Sequence, residues 1–299
     1  MYANPDGPQI MGILNVTPDS FYDGGRYTDP TACCDHAAMM VASGAHIIDV
    51  GAESSRPGSE RLSVEEEWQR LKPILPKLRR RITVPISLDT TKAEIARRGL
   101  DEGVDIINDI SAGRFNPEML TTVSASRADY VLMHMQREPK TMQQAPQYDD
   151  VVQDLFRFFE DTLEKCASLG LCHDRIILDP GLGFGKTAVH NLKIIRDIKV
   201  FSKLGCRVLL GASRKSFLGT ILTEDVQERL EGSLAIAVYS ALQGVSMLRV
   251  HDVKGDSSGL SRCTSGAPGC NLGQKFCSLR LLYAQTAKTL WYRWGPWRG

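Results

Sequence analysis

The sequence predicts a (β/α)8 TIM barrel, and two observations lead to it. Short β-branched, apolar runs alternate with helical patterns almost to the end of the chain. Eight such runs occur, which is the number of strands that closes a barrel of this class. The predicted strands are Ile10–Val16, Ile47–Gly51, Val84–Asp89, Ile106–Ile110, Tyr130–Met135, Arg175–Asp179, Arg207–Ala212 and Met247–His251. A doubly wound open sheet is the alternative that the same alternation allows.

A third observation places the active site at the C-terminal ends of these strands. In this fold, active residues lie where each strand ends and its following loop begins. The ends of the predicted strands are all polar, and they are far richer in hydrogen-bonding groups than the strand interiors. The polar ends are Asn15, Gly51–Arg56, Asp89, Asn108–Asp109, His134, Asp179, Ser213–Lys215 and Arg249–His251. One polar end is ordinary because loops are polar, but eight in register are hard to explain as solvation.

The segments between the strands carry apolar residues at helical spacing. Leu155, Phe158, Phe159 and Leu163 are an example, since they recur every three or four positions. The predicted helices are Ala32–Ser43, Val64–Arg81, Lys92–Glu102, Val151–Ser168, Leu192–Lys203 and Leu230–Gln243. Their alternation with the strands favours a parallel sheet.

Composition narrows the classes of function. The chain has 299 residues, 42% of them hydrophobic and 24% charged, with a net charge of +1. That balance gives no general attraction to nucleic acid or to anionic lipid, so neither is an expected partner. No apolar run reaches the roughly 18 residues of a membrane span, and the start of the chain lacks a signal-peptide pattern. We therefore expect a cytoplasmic protein.

The cysteines do not predict a metal site. Cys263, Cys270 and Cys277 recur every seven residues, but no C-x-x-C pair or nearby histidine accompanies them. The cysteines in apolar or helical stretches are expected to be small buried side chains.

The loop Asn15–Gly25 follows the first predicted strand and carries little that a core could use. Pro18 restricts the backbone, while Gly24 and Gly25 permit unusual turns. Ordering such a loop costs entropy without much burial, so a ligand explains it better than packing does. A plain connecting loop is the alternative.

The segment Asp179–Thr187 is rich in glycine but matches neither common phosphate-binding motif. Pro180 stands where the P-loop pattern needs glycine, and Lys186 stands where the dinucleotide fingerprint needs its third glycine. Asp179 is thus predicted either to cap the next helix or to hold a cationic or amidine-like edge of a ligand, with Phe184 on the glycine-rich turn.

Cationic side chains end the last two predicted strands. Arg214 and Lys215 are adjacent, so they repel each other unless an anion or an acidic partner intervenes; a solvated basic turn is the alternative. Arg249 and His251 are two residues apart on a strand and so point to the same side. Such a pair suits phosphate oxygens.

Three further strand ends carry groups that can recognise a heterocycle without a metal. Asp89, Asn108 and Asp179 supply acceptors and one donor group for its edge. Met133 and Phe184 are placed to flank its flat face. His134 has no obvious partner in the sequence.

These motifs together resemble the dihydropteroate synthase family. The matching segments are Asn15–Gly25, Gly51–Gly58, Asp89–Thr90, Asn108–Ile110, Asp179–Lys186, Ser213–Ser216 and Arg249–Val253. They occur in the family's order between residue 10 and about residue 254. The family joins 4-aminobenzoate to 6-hydroxymethyl-7,8-dihydropterin diphosphate in folate biosynthesis, and releases diphosphate.

The resemblance implies a role for each matching residue. Those implied to bind the pterin are Asp89, Asn108, Asp179 and Lys215, flanked by Met133 and Phe184. Those implied to hold the diphosphate are Asn15, Ser55, Arg56, Arg249 and His251, with Asn15 also ligating Mg²⁺. Those implied to form the aminobenzoate pocket are Phe21, Ser55, Pro57, Phe184, Ser213 and Lys215. Lys215, Arg249, His251 and Asp179 would act most directly on the reacting groups. Ser55 replaces the family's usual threonine and keeps the hydroxyl.

The chain departs from the family pattern after Lys254. We expect residues 1–254 to form the pterin-binding barrel and residues 255–299 an atypical C-terminal segment. The stretch Gly255–Gln274 is too rich in glycine, serine and proline for the expected eighth helix, whereas Phe276–Leu290 has helical spacing and is a candidate replacement. The altered tail suggests a gene rearrangement, hence a mobile, sulfonamide-insensitive form. Members of the family commonly pair through helices late in the barrel, so the resemblance implies a homodimer, which the altered tail puts in doubt.

Two other functions compete with this one. A pterin-binding methyltransferase that acts on methyltetrahydrofolate shares the fold and the pterin edge, but it has no diphosphate to hold. The Ser213–Ser216 segment and the Arg249–His251 pair therefore argue against it. A pterin-binding protein that has lost turnover through its altered terminus is the other alternative.

Overall fold

Eight parallel strands form a closed barrel in the computed structural model, which describes residues 7–16, 29–54, 59–222 and 230–257. The strands are β1 (Gln9–Asn15), β2 (Ile47–Gly51), β3 (Ile86–Asp89), β4 (Ile106–Asp109), β5 (Asp129–Met133), β6 (Ile176–Asp179), β7 (Arg207–Leu210) and β8 (Met247–Val250). They follow one another around the barrel in chain order, and β1 closes it by pairing with β8 from Gln9↔Met247 to Gly12↔Val250. The predicted barrel is confirmed, and the open sheet is excluded.

Helices surround the barrel. Those in the described part of the chain are α1 (Pro30–Ala42), α2 (Val64–Leu71), α3 (Leu75–Arg81), α4 (Ala93–Asp101), α5 (Glu118–Ser124), α6 (Val151–Ser168), α7 (Ala188–Arg196), α8 (Ser216–Leu222) and α9 (Leu230–Leu242). Side-chain caps begin several of them. Asp29 accepts from Thr31 and Ala32 at the start of α1, and Asp150 accepts from Val152 and Gln153 at the start of α6.

Two of the predicted helices differ from the structure. Residues 64–81 form α2 and α3 rather than one helix, because Pro73 lies between them and lacks the N–H that a continuous helix needs. The predicted Leu192–Lys203 begins earlier, at Ala188, and its second half is a 3-10 helix, Ile198–Leu204. The short helices α5 and α8 were not predicted.

The barrel interior has an apolar floor. It consists of Met11, Ile47, Ile106, Val131, Ile177, Leu209 and Met247, all nearly or fully buried. A larger apolar layer lies outside the strands, between the sheet and the helices. Because side chains alternate between the two faces of a strand, the residue two positions after each floor residue also points inward, one layer nearer the C-terminal mouth.

None of the described helices is both long enough and apolar enough to cross a membrane. The cytoplasmic location stays a prediction.

The chain becomes helical again directly after β8, over residues 253–257. Asp256 on this turn is 1% exposed, and neither of its carboxylate oxygens has a hydrogen-bond partner among the described residues. Burial, reinforced by the charge of Asp252, raises the pKa of Asp256 to about 7. Residues 258–299 lie outside the described part, so the predicted boundary at 254 and the replacement helix stay predictions.

We expect Asp256→Ala to stabilise the fold. The raised pKa means that the ionised carboxylate costs stability, and the cost grows as pH rises from about 4 in the unfolded chain towards 7. The gain should be on the order of 2 kcal/mol at pH 8 and smaller at pH 5, measured by urea unfolding at both pH values. Asp101→Ala removes an exposed carboxylate and is the matched control. An equal gain at both pH values, or a loss, would contradict this account.

Candidate active site

A layer of polar side chains lies directly above the apolar floor of the barrel. Its members are Asp49, Asn108, Asp179 and Arg249, each two positions after a floor residue on the same strand. Met133 follows Val131 in the same way and adds an apolar surface to the layer. Strand periodicity therefore brings together residues that are up to 200 positions apart in the sequence. The mouth of the barrel is the candidate site.

Arg249 is held between two carboxylates. Its Nε donates to Asp49 Oδ2 at 2.6 Å, and one Nη donates to Asp89 Oδ2 at 2.9 Å. The side chain of Arg249 is 19% exposed and that of Asp49 is fully buried. Burial raises the pKa of Asp89, and the charge of Arg249 opposes that rise. Among the described residues, no acceptor meets the other terminal nitrogen of Arg249, which leaves it for a ligand.

Asp49 is a residue of the site that the sequence interpretation missed. Besides Arg249, it accepts hydrogen bonds from Ser87 Oγ at 2.6 Å and from Asn108 Nδ2 at 3.1 Å. The available signal was a carboxylate in the middle of the apolar strand Ile47–Gly51, where a charge is costly without a partner.

The two polar residues at the end of β4 have different roles. Asn108 faces the barrel interior and donates to Asp49, so its amide oxygen is left for a ligand. Asp109 is fully buried and accepts from Tyr130, Ser111 and Gly113. Asp109 therefore fixes the β4–α5 loop, and Asn108 faces the candidate site.

Asp179 lies in the polar layer at the mouth and does not cap a helix. Its Oδ1 accepts from the backbone N–H of Gly181 at 2.7 Å, whereas Thr187 and His190 form the capping box of α7. Burial raises the pKa of Asp179, while the Gly181 hydrogen bond and the charge of Lys215 lower it. The capping alternative is excluded.

A buried lysine fixes the glycine-rich turn after β6. Lys186 is 3% exposed, and its Nζ donates to the carbonyl oxygens of His134, Gly181 and Phe184 and contacts His134 Nδ1 at 3.0 Å. Gly181 has φ of 64°, and a Cβ there would collide with the His134 carbonyl oxygen, which explains why this position needs glycine. His134 thus supports the turn, with its ring edge-on to Phe158 at 4.8 Å.

Phe184 forms part of an apolar wall at the mouth, with Ile110, Met133, Met135 and Met142. Lys215 Nζ lies 4.1 Å from the centre of the Phe184 ring, which is a cation–π contact. Burial, reinforced by the charge of Arg249, lowers the pKa of Lys215 to about 8, and Asp179 and Asp89 oppose that shift. The structure thus brings Phe184, Met133 and Lys215 together, and their role in binding a pterin stays a prediction.

The adjacent cations Arg214 and Lys215 are separated rather than bridged by an anion. Arg214 has φ of 55°, and its guanidinium makes two hydrogen bonds to Asp252, at 2.8 and 2.6 Å. An acidic partner for Arg214 therefore resolves the repulsion, and the solvated basic turn is excluded. Ser213 Oγ lies 3.2 Å from both the backbone nitrogen and Nδ1 of His251, so these two predicted site residues are also brought together.

The remaining predicted residues lie near the end of a described segment or outside the described residues. Asn15 is exposed at the mouth end of β1. Phe21, Ser55, Arg56 and Pro57 lie outside the described residues. The aminobenzoate pocket and sulfonamide insensitivity therefore stay predictions.

The loop after β2 is anchored on both sides of residues 55–58, by groups that the sequence interpretation did not single out. Glu53 Oε2 accepts from the backbone N–H of Leu62 at 2.8 Å and from Lys92 Nζ at 2.5 Å, and Lys92 also binds the fully buried Glu67. Ser59 Oγ donates to the carbonyl oxygen of Ser54. These bonds fix where the loop leaves and rejoins the barrel.

Comparison with known proteins gives one consistent family. A family model described as pterin binding enzyme matches residues 11–251. The chain is 45% identical to a dihydropteroate synthase of Escherichia coli strain K12 over 247 residues, which cover 83% of this chain and 87% of that one. A dihydropteroate synthase of Synechocystis is 43% identical over 246 residues, with 82% and 85% covered.

Solved structures that resemble this chain belong to the same family. The dihydropteroate synthase of Yersinia pestis in complex with a sulfonamide drug matches with a TM-score of 0.83 and 40% identity, covering 87% of this chain and 94% of that one. That of Xanthomonas albilineans in complex with 7,8-dihydropteroate matches with a TM-score of 0.76 and 33% identity, covering 87% and 93%.

Proposed function

The chain belongs to the dihydropteroate synthase family of pterin-binding enzymes, and we propose that it joins 4-aminobenzoate to 6-hydroxymethyl-7,8-dihydropterin diphosphate. The products are 7,8-dihydropteroate and diphosphate. One observation of the site carries the proposal: Arg249 and Lys215 share a mouth with Asp89, Asn108 and Asp179. The acceptors suit a pterin edge, and the cations suit a diphosphate. A methyltransferase would need only the acceptors.

The proposed pterin subsite lies deepest in the mouth. Asp179 would accept from the amidine-like edge of the ring, because its Oδ1 is already oriented by Gly181 while Oδ2 remains for the ligand. Asn108 would offer its amide oxygen, since its nitrogen is bonded to Asp49. Met133 and Phe184 would contact the flat face of the ring, and Lys215 would lie against its edge, held over Phe184.

The reaction breaks the bond between the exocyclic carbon and the diphosphate oxygen, and forms a bond from that carbon to the arylamine nitrogen. The electron-rich dihydropterin supports positive charge on that carbon, which favours departure of the diphosphate before attack. Arg249 and His251 would stabilise the charge that develops on the leaving group. No strong base is required, because the arylamine is neutral at pH 7 and loses its proton after the new bond forms. Accurate placement of the amine next to the exocyclic carbon supplies the rest of the rate acceleration.

Magnesium would bind at this site as a partner of the diphosphate. No group of three acidic, histidine or cysteine side chains able to hold a metal occurs in the described ranges. Mg²⁺ commonly keeps several waters and binds through one or two protein oxygens together with substrate phosphates. Asn15, exposed at the end of β1, is such an oxygen donor. The ion would neutralise charge on the departing diphosphate.

The proposal predicts that the diphosphate contributes to binding. We expect 6-hydroxymethyl-7,8-dihydropterin diphosphate to bind at least about tenfold more tightly than the unphosphorylated alcohol, since charge-assisted hydrogen bonds to phosphate are strong. Isothermal titration calorimetry with the two ligands and Mg²⁺ measures this difference. Equal affinities would favour the methyltransferase alternative.

Pterin binding should weaken as pH rises through about 8. The pKa of Lys215 is lowered to about 8, so its ammonium is present below that pH and is lost above it. We expect the Kd of the diphosphate ester to rise about tenfold between pH 7 and 9, because a charged hydrogen bond is lost. The Kd of the Lys215→Met variant, measured over the same pH range, shows how much of the change comes from ionisation of the ligand itself. A Kd that changes equally in both proteins would contradict the role of Lys215.

A further inference from the structure

We propose that Asp49 is a positioning residue that couples pterin recognition to departure of the diphosphate. It is fully buried beneath the mouth, and a single oxygen, Oδ2, accepts from both Arg249 Nε at 2.6 Å and Asn108 Nδ2 at 3.1 Å. The proposal rests on the proposed roles of those two residues. It adds a group that would touch neither substrate.

Asp49 decides which face of the Asn108 amide meets the pterin. An ionised carboxylate only accepts hydrogen bonds, so the amide nitrogen of Asn108 must turn towards Asp49 and the amide oxygen towards the ligand. Ser87 Oγ, at 2.6 Å from Oδ1, prevents the carboxylate from rotating. Asn108 thereby offers an acceptor to a pterin N–H. An amide at position 49 would remove this constraint, because an amide can present either group.

Asp49 also keeps Arg249 from pairing with Asp89 alone. With Nε bonded to Asp49, Arg249 contacts Asp89 through a single terminal nitrogen, at 2.9 Å. Without the charge of Asp49, the guanidinium would be free to turn and engage Asp89 with two nitrogens, the fork geometry that arginine and carboxylate favour. That rearrangement would take from the substrate both a phosphate donor and a pterin acceptor.

Asp49→Asn tests the proposal. We expect it to raise the Kd of dihydropterin diphosphate about tenfold and to lower kcat at saturating substrates about a hundredfold. The reason is that Asn108 and Arg249 each lose a charged hydrogen bond to position 49. A purely structural role would reduce the active fraction and leave the Kd of the remaining sites unchanged, so active sites are counted by ligand titration. Wild-type Kd and kcat would overturn the proposal.

A double-mutant comparison tests whether Asp49 acts through Arg249. In an Arg249→Met background, Asp49→Asn should raise the Kd but lower kcat little further, since the group it positions is gone. An equal loss of kcat in both backgrounds would overturn the coupling. If Arg249→Met alone kept a normal kcat, the proposed role of Arg249 would fail instead, and the Kd of Asp49→Asn would still decide the Asn108 part.

Ser87→Ala keeps the test decisive if Asp49→Asn does not fold. It removes only the hydroxyl that fixes Oδ1. The carboxylate keeps its charge and its hydrogen bonds to Arg249 and Asn108. We expect a change in Kd and kcat in the same directions, by about threefold, with circular dichroism unchanged. No change in either constant would contradict the proposal.

Discussion

Replacing Asp179 by asparagine is expected to raise the Kd of dihydropterin diphosphate about a hundredfold. Asp179 Oδ1 accepts from the Gly181 N–H, so an asparagine there would keep its amide oxygen towards Gly181 and turn its amide nitrogen, a donor, towards the N–H groups of the pterin edge. Losing a charge-assisted hydrogen bond costs about 1.5–3 kcal/mol and leaving a buried donor unpaired costs about 1–3 kcal/mol, so the low end of their sum corresponds to about a hundredfold in Kd. Equilibrium titration of the ligand measures the effect.

Asp174→Asn is the matched control for that change. Asp174 is exposed and lies just before the other end of β6, so the same substitution there removes a charge without touching the site. We expect its Kd to be unchanged. Normal turnover of Asp179→Asn at low pterin concentration would show that the assignment of Asp179 to the pterin edge is wrong.

Replacing Arg249 by methionine is expected to lower kcat about a thousandfold, because the departing diphosphate loses its central cation. The Kd of the pterin should also rise, since Asp49 and Asp89 would be left as like charges without their shared partner. Single-turnover kinetics at saturating substrates separates the chemical step from binding.

Arg249→Lys distinguishes charge from geometry at the same position. Lysine keeps the positive charge but cannot bond Asp49, Asp89 and a phosphate oxygen from one planar group. We expect a kcat between those of the wild type and Arg249→Met. A methionine variant with wild-type kcat would contradict the role of Arg249 in leaving-group departure.

The sequence predicted the barrel and most of the polar layer because both depend on a strong local signal. Parallel apolar strands have their polar ends in register, so Asn108, Asp179 and Arg249 of the layer, and Asp89 beside it, could be found from their positions alone. Asp49 was missed because it lies inside a strand, where its partners come from three other strands. No local pattern reports such pairing.

Other differences have equally specific causes. Sequence adjacency cannot show that Arg214 adopts a positive φ and turns towards Asp252, away from Lys215. The anchor formed by Glu53, Lys92 and Glu67 joins side chains from separate loops and helices. The helices α5 and α8 span seven residues each, too few to establish a periodic pattern. Homodimer formation stays a prediction.

The most direct test of the central claim is to supply the protein with 6-hydroxymethyl-7,8-dihydropterin diphosphate, 4-aminobenzoate and Mg²⁺, and to measure diphosphate and dihydropteroate together. The account predicts that both products form together, and that no dihydropteroate forms when 4-aminobenzoate or the protein is omitted. Binding of the pterin without release of diphosphate would contradict it and indicate a pterin-binding protein that lacks turnover.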